Sequence, residues 1–382
     1  MRISLGWGAS PRFVDVDPDT VVVSAPPSPP PRTWADVTAA ALSAPVGSAP
    51  LAERLRGLGR VCVLVPDRTR KDVAGGLLPH VLPHLRAAGV EVSIGVAAGK
   101  HPPDLETAAF CRASGVQSTW SHDAHSPELV EVGTTPAGTP VSYPRAVLEA
   151  DLRILLGEIR PHYFGGYAGG AKLIFPGVAG AAGIWQNHLL KAAPGARLGV
   201  VDGNPCRADF ESAASMAGPS FLVNVVRGDH GEPVFAVAGD PIAAHRAGVA
   251  QAAAIFERPR PPGAPFDTVL VSDAHPVTLN LYQACKLLAP AGALLADGGT
   301  VIMAAACTDG IGPVETINEA IYRLGLVHSL PPRHRVILVS ERPEASVRPT
   351  FATWAPDLPT ALQMAGPGRL AVLPQAGDLV IR

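Results

Sequence analysis

A chain of 382 residues with a formal net charge of −2 is long enough for two domains. It lacks the global basic field that nucleic acid or an anionic membrane surface would demand. Its 47% apolar content fits a folded core. Five scattered cysteines without CxxC spacing argue against a disulfide framework or a zinc ribbon, and for a reducing cytoplasm. The opening MRISLGWGAS has no signal-peptide pattern. The most apolar stretch, residues 287–307, is broken by Asp297 and by glycines, so no membrane-spanning helix is expected.

Residues 24–32, SAPPSPPPR, predict an extended polyproline spacer on the surface. Short apolar runs then alternate with helical stretches, at 60–67, 90–99, 151–159, 196–203 and 221–226. Their continuous rather than alternating hydrophobicity predicts strands covered on both faces, hence a mainly parallel α/β sheet. Four prolines within 256–267, FERPRPPGAPFD, forbid a continuing helix and mark the linker. A second α/β series follows, with strands expected at 268–273, 299–307, 335–341 and 369–374. The reading is two α/β domains, 1–262 and 263–382, with mainly parallel sheets and the active site in the cleft between them.

Open α/β sheets bind ligands beyond the carboxyl ends of their strands, and the unusual polar residues fall there. The first run leads into PDRTR, with Asp67, Thr69 and Arg70. The second leads into AGKHPP with His101, and the third into GEIRPH with His162. Past the linker, SDAHPVTLNLYQACK supplies Tyr282, Gln283 and Lys286, the last two at helical spacing for a shared face. Two histidines could serve as paired bases, one for each face of a stereocentre, because imidazole titrates near working pH. Arg70 and Lys286 could hold a carboxylate.

The glycine-rich stretch 162–188, HYFGGYAGGAKLIFPGVAGAAGIWQNH, is neither a Walker A loop nor a GxGxxG fingerprint. Glycines at this density, Gly169 and Gly170 among them, allow backbone N–H groups to approach a phosphate. From spacing alone, Lys172 reads equally as a phosphate clamp, a covalent attachment point or a solvated lysine.

Taken together, PDRTR (66–70), GKHPP (99–103), RPHYFGGYAGGAKLIFPGVAG (160–180), NH (187–188) and NLYQACK (280–286) resemble the nickel-pincer lactate racemases and their 2-hydroxy-acid racemase and epimerase relatives. The segment ALSAPVGSAPL (41–51) is also similar to that family. The resemblance implies that Lys172 carries a covalently bound nickel-pincer nucleotide, a pyridinium mononucleotide with two sulfur groups. It implies that His188 completes the nickel site, and that His101 and His162 are the acid/base pair. Asp67, Thr69, Gly169 and Gly170 would then lie at the cofactor, and Arg70, Tyr282, Gln283 and Lys286 at the substrate, with Arg70 and Lys286 assisting catalysis. The implied reaction moves hydride from the substrate's alpha carbon to the cofactor through a 2-keto acid. The implied partners are a small 2-hydroxy acid and, transiently, cofactor-synthesis enzymes. The chain departs from the family pattern at Ala171, where an arginine is expected, and at His275, Val277 and Thr278. A non-catalytic nucleotide- or nickel-binding protein of the same fold is the alternative. Loss of His101 or His162 would favour it, and both are present.

Overall fold

The computed structural model describes every residue except 229 and 230, together with the side chain of Lys71. Its first half is built on a six-stranded sheet in the order Pro233–Gly239, Ser220–Arg227, Leu152–Glu158, Arg60–Pro66, Glu91–Ala97, Ser118–Ser121. All neighbours run parallel except the edge pair Ser220–Arg227 and Pro233–Gly239. Every residue of Leu152–Glu158 is buried, as a strand covered on both faces requires.

The chain enters this sheet at Arg60–Pro66 and builds outward on one side. It then returns to the other side with Leu152–Glu158. The order therefore reverses between these two strands, and the crevice beyond their carboxyl ends is the ligand position in such sheets.

The second half repeats the device. Thr353–Ala355, Arg335–Val339, Leu295–Ala304, Phe266–Ala274 and Leu370–Leu373 lie side by side and parallel. Here the order reverses between Phe266–Ala274 and Leu370–Leu373. The opening residues, drawn with the first half in the sequence reading, pair instead with this second sheet. Val21–Val22 extends its edge and Trp7–Gly8 joins the end of Phe266–Ala274. Residues 24–32, without regular structure, carry the chain back to the first half.

The expected strand at 196–203 is corrected: this run forms turns. Gly199 and Gly203 adopt left-handed φ values of 77° and 75°, which break a pleat. Asn204 then caps the helix Pro205–Ser215 by accepting from the Arg207 N–H. The proline-rich linker also pairs, with Glu257–Arg258 lying parallel to Val380–Ile381. One apolar cluster, including Leu64, Leu155, Phe175 and Phe210 with Leu281, Val301 and Leu338, runs through both halves. Among the described residues, no helix is long and apolar enough to cross a membrane.

Two buried polar devices fix the elements around the crevice. Asp209 accepts hydrogen bonds from Thr135, from Thr139 (2.8 Å) and from Asn187 (2.7 Å), tying the helix Ala181–Leu189 to Pro205–Ser215. The Asp209→Ala variant leaves three buried donors unmatched, so urea unfolding should show a loss of about 3 kcal/mol; an unchanged midpoint would mean the cluster carries no stability. His122 and His245 lie 1% and 0% exposed, with Nε2 at 2.9 Å from the Ala179 carbonyl and 2.8 Å from the Ala168 carbonyl. Burial lowers both below the usual 6.5. The unfolded chain therefore takes up protons that the folded chain refuses as pH falls through 6.5. Stability present above that pH should decline below it, by up to about 1.4 kcal/mol per pH unit for each ring; unfolding midpoints at pH 7.5 and 5.5 measure it.

Candidate active site

At the carboxyl end of Arg60–Pro66, Asp67 is buried and its Oδ2 lies 2.6 Å from His101 Nδ1. The Thr69 N–H and hydroxyl both donate to Asp67 Oδ1, the former at 3.2 Å. Burial opposes ionisation of Asp67, but these hydrogen bonds prevail and hold its carboxyl below the usual range. A carboxylate facing Nδ1 fixes that nitrogen as the donor. His101 Nε2 is thereby left with a free lone pair. The loop carrying His101 is anchored where the Gly99 N–H donates to the Gly177 carbonyl at 2.9 Å. His101 keeps half its side chain exposed.

The end of Leu152–Glu158 supplies the opposite wall. Glu158 is buried and takes a two-point contact from Arg227, Nε at 2.8 Å and Nη2 at 3.2 Å, with Arg70 Nε at 3.6 Å. Arg160 clamps Asp378, beyond the end of Leu370–Leu373, at 2.7 and 2.9 Å. The two strand-order reversals are thus joined directly across the halves.

His162 follows on a two-residue hairpin with Gly166–Tyr167. Its Nδ1 accepts the Gly165 N–H at 3.1 Å, so the neutral ring carries its proton on Nε2. Burial first, then Lys172, Lys286, Arg70 and Arg207, holds it well below the usual histidine value.

The glycine-rich turn is shaped by close packing. Gly169 and Gly170 have φ of 79° and 64°. A Cβ on Gly169 would lie 2.8 Å from the Glu158 carbonyl, and one on Gly170 3.0 Å from the His245 ring. The Gly170 N–H donates to Asn224 Oδ1 at 2.8 Å, so this donor is already engaged. Arg207, fully buried, donates to the Gly165 carbonyl at 3.2 Å, the Gly169 carbonyl at 3.3 Å and the Tyr167 carbonyl. Sequence reasoning missed Arg207, Asn224, Glu158 and Arg160 as supports of this turn and its neighbours. Only Glu158 and Arg160 carried a signal, their place in GEIRPH.

Lys172 forms no ion pair or hydrogen bond with any described residue. Its Nζ lies 5.7 and 5.4 Å from the Phe164 and Phe210 ring centres. Burial, then Arg207, Arg70 and Lys286, holds its amine well below the usual lysine value. His188, near the end of Ala181–Leu189, sits 5.1 Å from the Phe164 ring, with a buried Nδ1 and a ring that interacts with the Ile184 backbone one turn earlier. Burial, then Lys191, Lys100 and Lys172, keeps it neutral, the form in which imidazole ligates a metal.

The second half contributes Tyr282, Gln283 and Lys286, as the spacing anticipates. Lys286 Nζ donates to Gln283 Oε1 and lies 5.6 Å from the Tyr282 ring centre. Burial leads in lowering Lys286 to about 8. Thr278 is buried and accepts the Gly8 N–H at 3.2 Å, while His275 Nε2 lies 3.5 Å from the Thr308 hydroxyl. Mutual electrostatic influence links Arg70, His162, Lys172 and Lys286, and links Lys172 to His188. Asp67 and Thr69 are joined to His101 through hydrogen bonds, Tyr282 and Gln283 lie against Lys286, and Gly169 and Gly170 pack on Glu158, Asn224 and His245. The arrangement sets imidazoles beside lysine amines of lowered proton affinity, with Arg70 ion-paired to Glu158 and Lys286 bonded to an amide oxygen.

Residues 9–199 match the model of the lactate racemase N-terminal domain and residues 263–324 that of the lactate racemase C-terminal domain. The lactate racemase of Thermoanaerobacterium thermosaccharolyticum is 30% identical over 391 aligned positions, covering 91% of this chain and 90% of that protein. The lactate racemase of Lactiplantibacillus plantarum is 30% identical, covering 71% of this chain and 66% of its own length. The solved lactate racemase apoprotein from T. thermosaccharolyticum superposes with a TM-score of 0.89 at 26% identity, over 100% of both chains. A Thermotoga maritima protein of known structure, at 18% identity and a TM-score of 0.66, covers 92% of this chain and 98% of its own and shares the fold. The two domain models, the near full-length identity and the superposition agree with the geometry of the cleft, and the chain belongs to the lactate racemase family of isomerases.

Proposed function

We propose that this chain interconverts the stereoisomers of a small 2-hydroxy acid in the cytoplasm, with lactate the first substrate to test. The carrying observation is the pair of histidines, His101 backed by the Asp67 carboxylate and His162 buried under the influence of Lys172, Lys286 and Arg70. The residues present fit a nickel-pincer nucleotide. Burial and neighbouring cations loosen the proton of the Lys172 amine and so favour the uncharged form that attaches covalently, and burial favours a neutral His188 ring, the form suited to nickel. Lys172 would tether the group, His188 would complete the metal site, and Thr69, Gly169 and the Asp67 loop would border it. When bound, that group supplies a reversible hydride acceptor. Cofactor-synthesis enzymes are then transient partners.

The chain's own residues handle the proton and the carboxylate. Arg70 and Lys286 hold the substrate carboxylate, with Tyr282 and Gln283 beside it. His101 Nε2 takes the hydroxyl proton as the alpha C–H electron pair departs, so the C–O bond becomes a carbonyl and a 2-keto acid results. Asp67 stabilises the imidazolium that forms. Return of the hydride on the other face needs a proton from the other side, the role of His162. Its low proton affinity in the empty cleft arises from burial and four neighbouring cations. An arriving carboxylate cancels part of that field and favours a second proton on the ring, at Nδ1 in place of the hydrogen bond from the Gly165 N–H. For the opposite enantiomer the roles exchange.

In Asp67→Asn, an amide N–H facing Nδ1 favours the wrong tautomer of His101, and racemisation should fall about 10²–10³-fold with nickel retained; chiral chromatography of the product, alongside metal analysis, checks this, and metal loss with the activity would remove Asp67 from the proton path. Chain co-produced with cofactor-synthesis enzymes should carry a covalent mass adduct that Lys172→Ala abolishes, whereas His188→Ala should keep the adduct and lose nickel. An unmodified wild-type mass under those conditions would sink the tether.

A further inference from the structure

Lys191 belongs to none of the roles above. It sits in the short turn Leu190–Ala192 that follows the His188 helix, and only 3% of it is exposed. Its Nζ stands 4.6 Å from the Phe164 ring centre and 5.7 Å from that of Tyr163. Phe164 is the same ring that lies 4.6 Å from His162, 5.1 Å from His188 and 5.7 Å from Lys172 Nζ. Lys191 therefore borders the cleft itself. From the other half, Gly325 closes on it: a Cβ there would lie 3.1 Å from Tyr163 and 3.5 Å from the Lys191 side chain.

Among the described residues, none balances the charge of this amine. Lys191 makes no hydrogen bond or ion pair with any described residue. The charged groups that act on it, Lys100 and Lys286, are cations, and the nearby thiols of Cys206 and Cys285 are pushed up to about 12 by burial, so they stay neutral. Burial leads in lowering Lys191 to about 7. Two aromatic faces recover only part of what water would give an ammonium. A buried lysine held at this level gains most from an anion that restores its charge.

We propose that Lys191 is an anion-binding residue of the cleft, taking a carboxylate or phosphate oxygen over the Phe164 ring beside Lys172. The oxygen comes from the acidic groups of the tethered nucleotide or from a second acid group on the substrate. The second source would extend the substrate class from lactate to 2-hydroxy dicarboxylates such as malate. The inference rests on the cleft being the reaction site, though not on the reaction itself.

Calorimetric titration of the cofactor-free chain tests it, with inorganic phosphate, nicotinic acid mononucleotide, malate and lactate as probes. Lys191→Met keeps the length of the side chain and Lys191→Arg keeps its charge. Weakening of about tenfold or more in Lys191→Met, the scale of one charge-assisted contact, with recovery in Lys191→Arg, is the expected result. Loss confined to phosphate and the mononucleotide assigns the anion to the cofactor; loss for malate with lactate unchanged assigns it to the substrate. Bound anion should also slow modification of Lys191 by an amine reagent, read by peptide mass spectrometry, because it stabilises the ammonium, with the proton drawn from solvent, over the reactive free amine. A folded Lys191→Met that binds all four probes within twofold of wild type overturns the proposal, as does a wild-type chain that binds none. Anion binding that depends on Lys191 in a chain with no racemase activity would leave this inference standing and remove the proposed reaction instead.

Discussion

The cleft holds more positive charge than the protein neutralises. Among the described residues, Lys172 and Lys191 have no counter-charge of their own, and Lys286 makes only a hydrogen bond to an amide. The nearby carboxylates are committed elsewhere, Asp67 to His101 and Glu158 to Arg227 and Arg70. Away from water, like charges raise one another's energy, and each amine responds by giving up its proton more readily. The same crowding lowers the proton affinity of both Lys172 and His162. An anion placed among these groups would relieve it and raise the proton affinity of each.

That surplus is sustained because the surrounding scaffold is closed and well satisfied. Both sheets reverse strand order at the crevice, and the clamp between Arg160 and Asp378 ties one reversal to the other. Phe164 acts as a floor shared by two lysines and two histidines. Arg207 pins three carbonyls of the glycine-rich hairpin from beneath. None of these contacts touches a reacting atom, yet each limits where His162 and Lys172 can stand.

Much of this was legible in the residues. Continuous apolar runs identified eight strands of the two sheets, while Ser118–Ser121, Pro233–Gly239 and Thr353–Ala355 were not anticipated. Asp67 and its neighbours do follow the carboxyl end of their strand. The run at 196–203 shows the limit of that logic. Its apolar content matches a strand, but two left-handed glycines turn it into a cover for the hairpin, where the Gly199 N–H donates to the Gly166 carbonyl at 3.0 Å. The first 22 residues show another limit: sheet partners come from the far end of the chain, which no local pattern encodes. Lys191 gave no signal either, since a lysine three residues past a histidine reads as an ordinary helix-end cation.

By itself the sequence determined the α/β class, the strand-end position of the polar residues and, by resemblance, the family and its expected chemistry. Those follow from local hydrophobicity and from ordered motifs, which survive without knowledge of packing. Tertiary structure alone decided which nitrogen of each histidine carries the proton, that Gly169 and Gly170 answer to neighbouring atoms, and that three lysines share one unbalanced pocket. Charge regulation depends on burial and on distances between residues far apart in the chain, and only the folded arrangement sets those.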